Sequence, residues 1–189
     1  MSFFKNTAGS FELTSVKNLP NAHVAYPGER WSNRKASGAI VPGQPVVPLA
    51  SGSAPTATMV MRKAKAGDTT EQLALATRTI DIPDPNTGPK SLGPNEVRNQ
   101  IIPSGEWLLA HYSGVFYLTL CTPDTYTPGE KVGWDVNGTL PSGKEGEGAW
   151  SKDANADIKS VFEVMEWHEV NSTTHEGYLI VRFLGRTQA

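Results

Sequence analysis

Histidines and carboxylates gather late in the chain, where His168-Glu169-Val170-Asn171-Ser172 opens like a zinc-binding helix motif. That chemistry needs a second histidine one helical turn on, and Ser172 stands there instead. Asp153-Ala154-Asn155-Ala156-Asp157 supplies the first three ligand positions of a calcium loop. The next residue must be glycine for the sharp turn and is Ile158, and the twelfth should be a bidentate Glu and is Val164. Gly143-Lys144-Glu145-Gly146-Glu147-Gly148 is glycine-rich, but its two carboxylates repel phosphate and it lacks the Gly-Lys-Ser/Thr ending. No Gly-x-Ser-x-Gly nucleophile elbow occurs.

What remains is His111, His168 and His175 with the acidic group Glu163, Glu166, Glu169 and Glu176. If residues 161–168 are extended, Glu163 and Glu169 fall on the face opposite Glu166 and His168. These residues are candidates for metal or acid/base work, in a hydrolase for instance, without forming a constellation, and no metal or cofactor is expected. Cys121, the single cysteine, ends the apolar run Val115–Cys121 and reads as a buried, inert thiol. The basic clusters Arg30-Trp31-Ser32-Asn33-Arg34-Lys35 and Arg62-Lys63-Ala64-Lys65 sit in a chain with 17 basic and 19 acidic residues, net charge −2. That is a poor footprint for nucleic acid and suits a protein partner better. No apolar run approaches the ~18 residues of a membrane span.

The elements that must position these residues are short strands. The 189 residues include 18 Gly and 14 Pro, an excess that favours many turns over long helices. Residues 1–35 read as an extended arm. Phe3, Phe4, Phe11, Leu13, Val16, Leu19 and Trp31 follow no helical period, and Asn, Pro and Gly interrupt any regular element. Residues 36–189 read as a β-rich domain. Ala39–Val41, Pro42-Gly43 and Pro45–Leu49 form strand, type II turn and strand, with Pro45 and Pro48 placing the stretch at an edge or bulge. Ala57–Arg62 is a further strand.

Thr70–Arg78 carries helix-favouring Ala and Leu, yet Leu73, Leu75, Thr77 and Thr79 alternate, and a strand running on to Ile82 is expected. Loops are expected at 83–100 and 140–157. Trp107–Tyr112, Ser113-Gly114 and Val115–Cys121 read as a hairpin. Lys131–Val136 leads into a hairpin-type Asn137-Gly138 turn. Val161–His168 and Gly177–Gly185 are strands. One echo runs through the chain: Val41-Pro42-Gly43-Gln44-Pro45-Val46 and Thr127-Pro128-Gly129-Glu130-Lys131-Val132, a type II turn launching a strand each time. Matches this short are weak evidence of duplication.

Four segments together resemble the head decoration, or cement, proteins of tailed bacteriophages: Ser37–Val46; Ser104–Ala110 with Ser113–Phe116; Thr127–Trp134; and Tyr178–Leu184. The resemblance covers residues 36–189 as an order of elements, with an arm ahead of it. It implies a mainly β, compact sandwich-like or barrel-like (β-tulip-like) domain with little helix. It further implies a non-enzymatic virion protein, assembled in the host cytoplasm. Such a protein binds the outer capsid surface between major capsid subunits and associates with itself, often as a trimer and sometimes as a dimer.

The residues expected to contact the partner are Phe3, Phe4, Phe11, Leu13, Trp31 and Arg34, large apolar groups and a cation suited to anchoring on a foreign surface. The alternative is another virion part, such as a tail or fibre component, or a carbohydrate-binding β-module using Trp134 and Trp150 as exposed stacking platforms.

Overall fold

Pro-Gly turns and β-branched or aromatic runs build eleven strands in a computed structural model that describes residues 15–17, 19, 21–28, 30–49, 59–70, 73–78 and 100–184. They are β1 Ala22–Pro27, β2 Arg30–Ser37, β3 Pro45–Pro48, β4 Met59–Lys63, β5 Ala74–Arg78 and β6 Trp107–His111. β7 Gly114–Leu118, β8 Lys131–Asp135, β9 Ala149–Lys152, β10 Ile158–Asn171 and β11 Glu176–Phe183 follow. Strands β2-β4-β3-β5-β6 close a barrel, and β1-β7-β11-β10-β8-β9 form a six-stranded sheet. The mainly β class is as expected.

The two halves repeat one topology. In the barrel, β3 lies between β4 and β5, β5 pairs β6, and β6 pairs β2, all antiparallel. In the sheet, β8 lies between β9 and β10, β10 pairs β11, and β11 pairs β7, again antiparallel. The barrel closes through a parallel β2–β4 ladder from Arg34↔Met59 to Ser37↔Arg62. The second unit has one parallel bridge at the same place, Cys121↔Trp150. There Trp150 N–H donates to Leu120 O at 2.7 Å and Thr122 N–H to Trp150 O at 2.8 Å.

The echoed turns occupy equivalent positions in these units. Gly43 and Gly129 have φ of 93° and 86°, the left-handed backbone that a type II turn demands of its third residue. Gln44 N–H donates to Val41 O and Glu130 N–H to Thr127 O, each at 3.1 Å. The side chains return the bond: Val41 N–H donates to Gln44 Oε1 at 2.9 Å and Thr127 N–H to Glu130 Oε2 at 3.1 Å. Each turn then joins the same kind of neighbour. Gly43 N–H donates to Ala76 O at 2.8 Å, and Gly129 N–H to Val164 O at 2.8 Å. The short echo thus marks one strand-launching device in both units.

A shared ribbon joins the units. β1 pairs β7 from Ala22↔Leu118 to Pro27↔Gly114, and β2 pairs β6 from Arg30↔His111 to Lys35↔Trp107. Both segments of the ribbon change sheet together at Gly28 and at Ser113-Gly114. A Cβ on Gly28 would lie 2.4 Å from the Ser113 carbonyl carbon, and one on Gly114 would lie 2.8 Å from Tyr26 O, so only glycine lets the backbones cross this closely.

Three sequence expectations change here. Ala22–Pro27 and Arg30–Ser37 are not arm but strands, one in each sheet, because their partners, 107–118, lie far along the chain and leave no local signal. Residues 107–121 are not a hairpin, since β6 and β7 belong to different sheets. The 140–157 loop contains β9, whose Trp134↔Trp150 and Asp135↔Ala149 pairs extend the second unit. Of the expected strand at 70–82, Ala74–Arg78 is present as β5, while Thr79 to Ile82 and the 83–99 loop lie outside the described residues.

The cores differ in filling. The barrel interior holds Ala36, Val46, Met61, Ala74, Ala76, Leu108 and Ala110, all buried. The second cluster is aromatic, with Phe116, Trp134, Trp150, Phe162 and Phe183, and it takes in Val41, Val47, Leu73 and Leu75 from the first unit. Alternation along β5 therefore sends alanines into a narrow barrel and leucines into the junction. That division explains a helix-like composition in a strand.

Candidate partner-binding surface

Of the residues expected to bind a partner, Phe3, Phe4, Phe11 and Leu13 lie outside the described residues. Trp31 and Arg34 are on β2, paired with Ala110 and with Leu108 and Met59 respectively. Arg34 is half-buried in the barrel wall, and burial lowers its guanidinium from the ordinary range against an opposing pull from Tyr112. The barrel wall thus claims part of Arg34 as a structural residue.

Ahead of β1, Val16, Leu19 and Asn21 are fastened to the outer face of the sheet. Val16 and Leu19 are buried with Tyr178, and Tyr117, Val170 and Ile180 pack around them. Leu19 N–H donates to Val16 O at 3.0 Å, which folds the segment into a turn. From the 141–144 loop, Lys144 Nζ donates to Leu19 O and, at 3.0 Å, to Asn21 Oδ1. Ser142 N–H in the same loop donates to Glu176 Oε1 at 2.8 Å, tying the loop to the start of β11.

Sequence reasoning missed the exposed apolar groups of the body: Tyr26, Leu49, Ile101, Trp107 and Met165. Tyr26 is 72% exposed at the end of β1. Trp107, 37% exposed, carries Lys35 Nζ 4.9 Å above its ring. Nothing local distinguishes these residues from core positions, because each sits in an ordinary strand or turn pattern.

The candidate chemistry does not converge. A bulge at Met165 shifts the β10 register, so Glu163 faces the same way as Glu166 and His168, and only Glu169 lies opposite. Glu163 then accepts from Lys131 at 2.7 Å and Arg182 at 3.0 Å. His168 contacts Glu166 at 2.8 Å and stacks on Tyr178, while His175 contacts Glu169 at 2.8 Å. His111 is buried in the barrel wall with Thr77 Oγ1 2.8 Å from Nε2. No group of three His, Cys, Asp or Glu among the described residues is placed to hold a metal.

Cys121 is buried, with its thiol pushed up to about 12 by burial, the reverse of what a nucleophile needs. Trp134 and Trp150, expected as exposed sugar platforms, are 2% and 0% exposed and meet edge to face at 4.9 Å. Trp150 Nε1–H donates to Gly43 O at 2.9 Å, so this pair seals the junction of the units instead. A cavity of about 540 Å³ opens at that junction, lined by Gln44, Pro45, Lys63, Lys65, Trp134 and Glu147 among others. Its carboxylate, Glu147, is already bound to Lys63 at 2.9 Å.

No protein family, curated protein or solved structure was found to match the chain.

Proposed function

We propose that the chain is a structural virion protein that binds the outer surface of a phage capsid, between major capsid subunits, and stabilises the head. The observation that carries this reading is the fastened root at residues 15–21 on a body of two interlocked β units. Residues 1–14, with Phe3, Phe4, Phe11 and Leu13, precede that root in the chain and are the principal contact. Tyr26 and Trp107 add exposed aromatic area on the body, the residue type that dominates protein interfaces. The protein acts without catalysis, as a self-associated trimer or dimer, and many symmetry-related contacts add through multivalency.

The test is co-sedimentation with expanded heads that lack the protein. The full chain sediments with the heads, and a chain lacking residues 1–14 stays in solution while keeping the near-ultraviolet circular dichroism of the folded body. The cut falls at residue 14 because residues 22–35 are strands of the body. Undiminished sedimentation of the shortened chain overturns the arm's role, and failure of the full chain to sediment overturns the capsid reading.

A further inference from the structure

A buried lysine is ordinarily neutralised by a carboxylate. Lys144 is half-buried in the 141–144 loop, and its ammonium meets two neutral oxygens, Leu19 O and Asn21 Oδ1. Among the described residues no carboxylate forms an ion pair with it. Of the titratable groups around it, none among the described residues lies within ion-pair distance. Cys121, beyond the end of β7, is a protonated buried thiol. Glu176, at the start of β11, accepts the Ser142 N–H, and Glu145 is exposed in the loop. The Lys17 stem, on the fastened segment itself, lies over Gly143 and brings like charge.

We propose that Lys144 is a proton-operated latch on residues 15–21: taking up a proton loosens the segment from the outer face of the sheet, and losing one tightens it. Both contacts survive deprotonation, because a neutral amine still donates to Leu19 O and Asn21 Oδ1. What disappears is the cost of holding an unpaired charge out of water.

The direction follows from linkage. Burial pushes the docked amine down to about 8. With the segment lifted away, the amine regains water and its ordinary value of about 10.4. Above pH 8 the lifted state holds a proton that the docked state has lost, so docking strengthens by up to about tenfold per pH unit until about pH 10.4. Below about pH 7 both states are protonated and docking does not vary with pH through this group. The latch is therefore at its loosest near neutral pH, where a segment that leads into a partner-binding arm gains from being able to rearrange.

Hydrogen exchange of the Leu19 amide reads the latch, because its bond to Val16 O is a lone turn bond that gives little protection once the segment lifts and Leu19 enters water. In the full chain, Leu19 protection, corrected for intrinsic exchange and referred to the Val164 amide, is expected to be flat between pH 6 and 7. It then rises roughly a hundredfold between pH 8 and 10.4. Lys144→Met removes the rise, because no group is left there to lose a proton. Lys144→Arg, charged at every pH, removes the rise and leaves Leu19 poorly protected, and this variant carries the test if the Met variant does not fold. A flat wild-type profile, or a rise that persists in either variant, overturns the proposal. Heads play no part in this measurement, so its outcome is separate from that of the sedimentation test.

Discussion

The first unit (β2 to β6) and the second (β7 to β11) share strand order, turn geometry and the side-chain bond that closes each turn, yet they are filled and charged differently. The first closes through four residue pairs around an alanine-rich interior, and the second through one bridge around a core of large aromatic rings. Residues 30–111 carry nine basic and six acidic side chains, and residues 114–184 carry five and eleven. Equivalent turns also meet different surroundings. Pro42-Gly43 is buried against the second unit, whereas Pro128-Gly129 is exposed. One backbone solution thus tolerates a small-residue interior where the ladder closes tightly, and bulky rings where it does not. The near-neutral total charge conceals a polarised molecule.

Substitutions can separate what the units share from what they do not. The largest effect is expected at Trp150, which packs on Trp134 and Phe162 and holds Gly43 O. Trp150→Ala is expected to cost about 3–5 kcal/mol in denaturant unfolding. Met61→Ala, in the matching strand of the first unit, costs about 2–4 kcal/mol. A larger loss at Met61 would break the view that the aromatic junction dominates.

Gly28→Ala and Gly114→Ala strike the crossing shared by both units. Each is expected to cost about 2–3 kcal/mol through backbone clash and, at Gly114, a φ of 126°. Both units should melt together, and two separate transitions would show that the ribbon does not couple them.

The two turn caps give a finer comparison. Gln44→Ala leaves a buried Val41 N–H and the Glu147 carbonyl without their partner and costs about 1–3 kcal/mol. Glu130→Ala, at the exposed turn, costs about 0.5–1 kcal/mol. Equal losses would mean that burial of the first turn adds nothing.

The smallest effect lies in acid. The forked bond from Arg62, at 2.6 and 2.7 Å, holds the Asp68 carboxyl below its ordinary range. Its folded-state pKa is depressed, so its contribution is present above about pH 4 and fades as pH falls through the lowered value. Asp68→Asn should flatten that part of the stability profile between pH 5 and 2 while leaving the neutral-pH shape unchanged. An unaltered acid limb would assign the loss to other carboxylates.

Strand positions after 36 were largely legible, because Pro-Gly turns and apolar alternation act over a few residues. The arm boundary was not. Nothing in Ala22–Pro27 announces a strand until Gly114–Leu118 is laid beside it. Leu73–Arg78 carried two competing signals, and the barrel's narrow interior decided between them. The candidate surface was the least legible part. Glu163 changed faces through one bulge residue, Trp134 and Trp150 were buried by the opposite unit, and Lys144 sat in a glycine-rich loop that reads as solvated.

The amino-acid order by itself determined the type II turns, the class of secondary structure, the closing strand at 176–183 and the buried character of Cys121. Each depends on backbone angles or apolar runs that neighbouring residues set. The tertiary structure alone decided that the chain folds as two copies of one topology, which strands share a sheet, and that Lys144 holds Leu19 and Asn21. These are contacts between residues far apart in the chain, and pairing at that range is chosen by mutual burial rather than by local propensity.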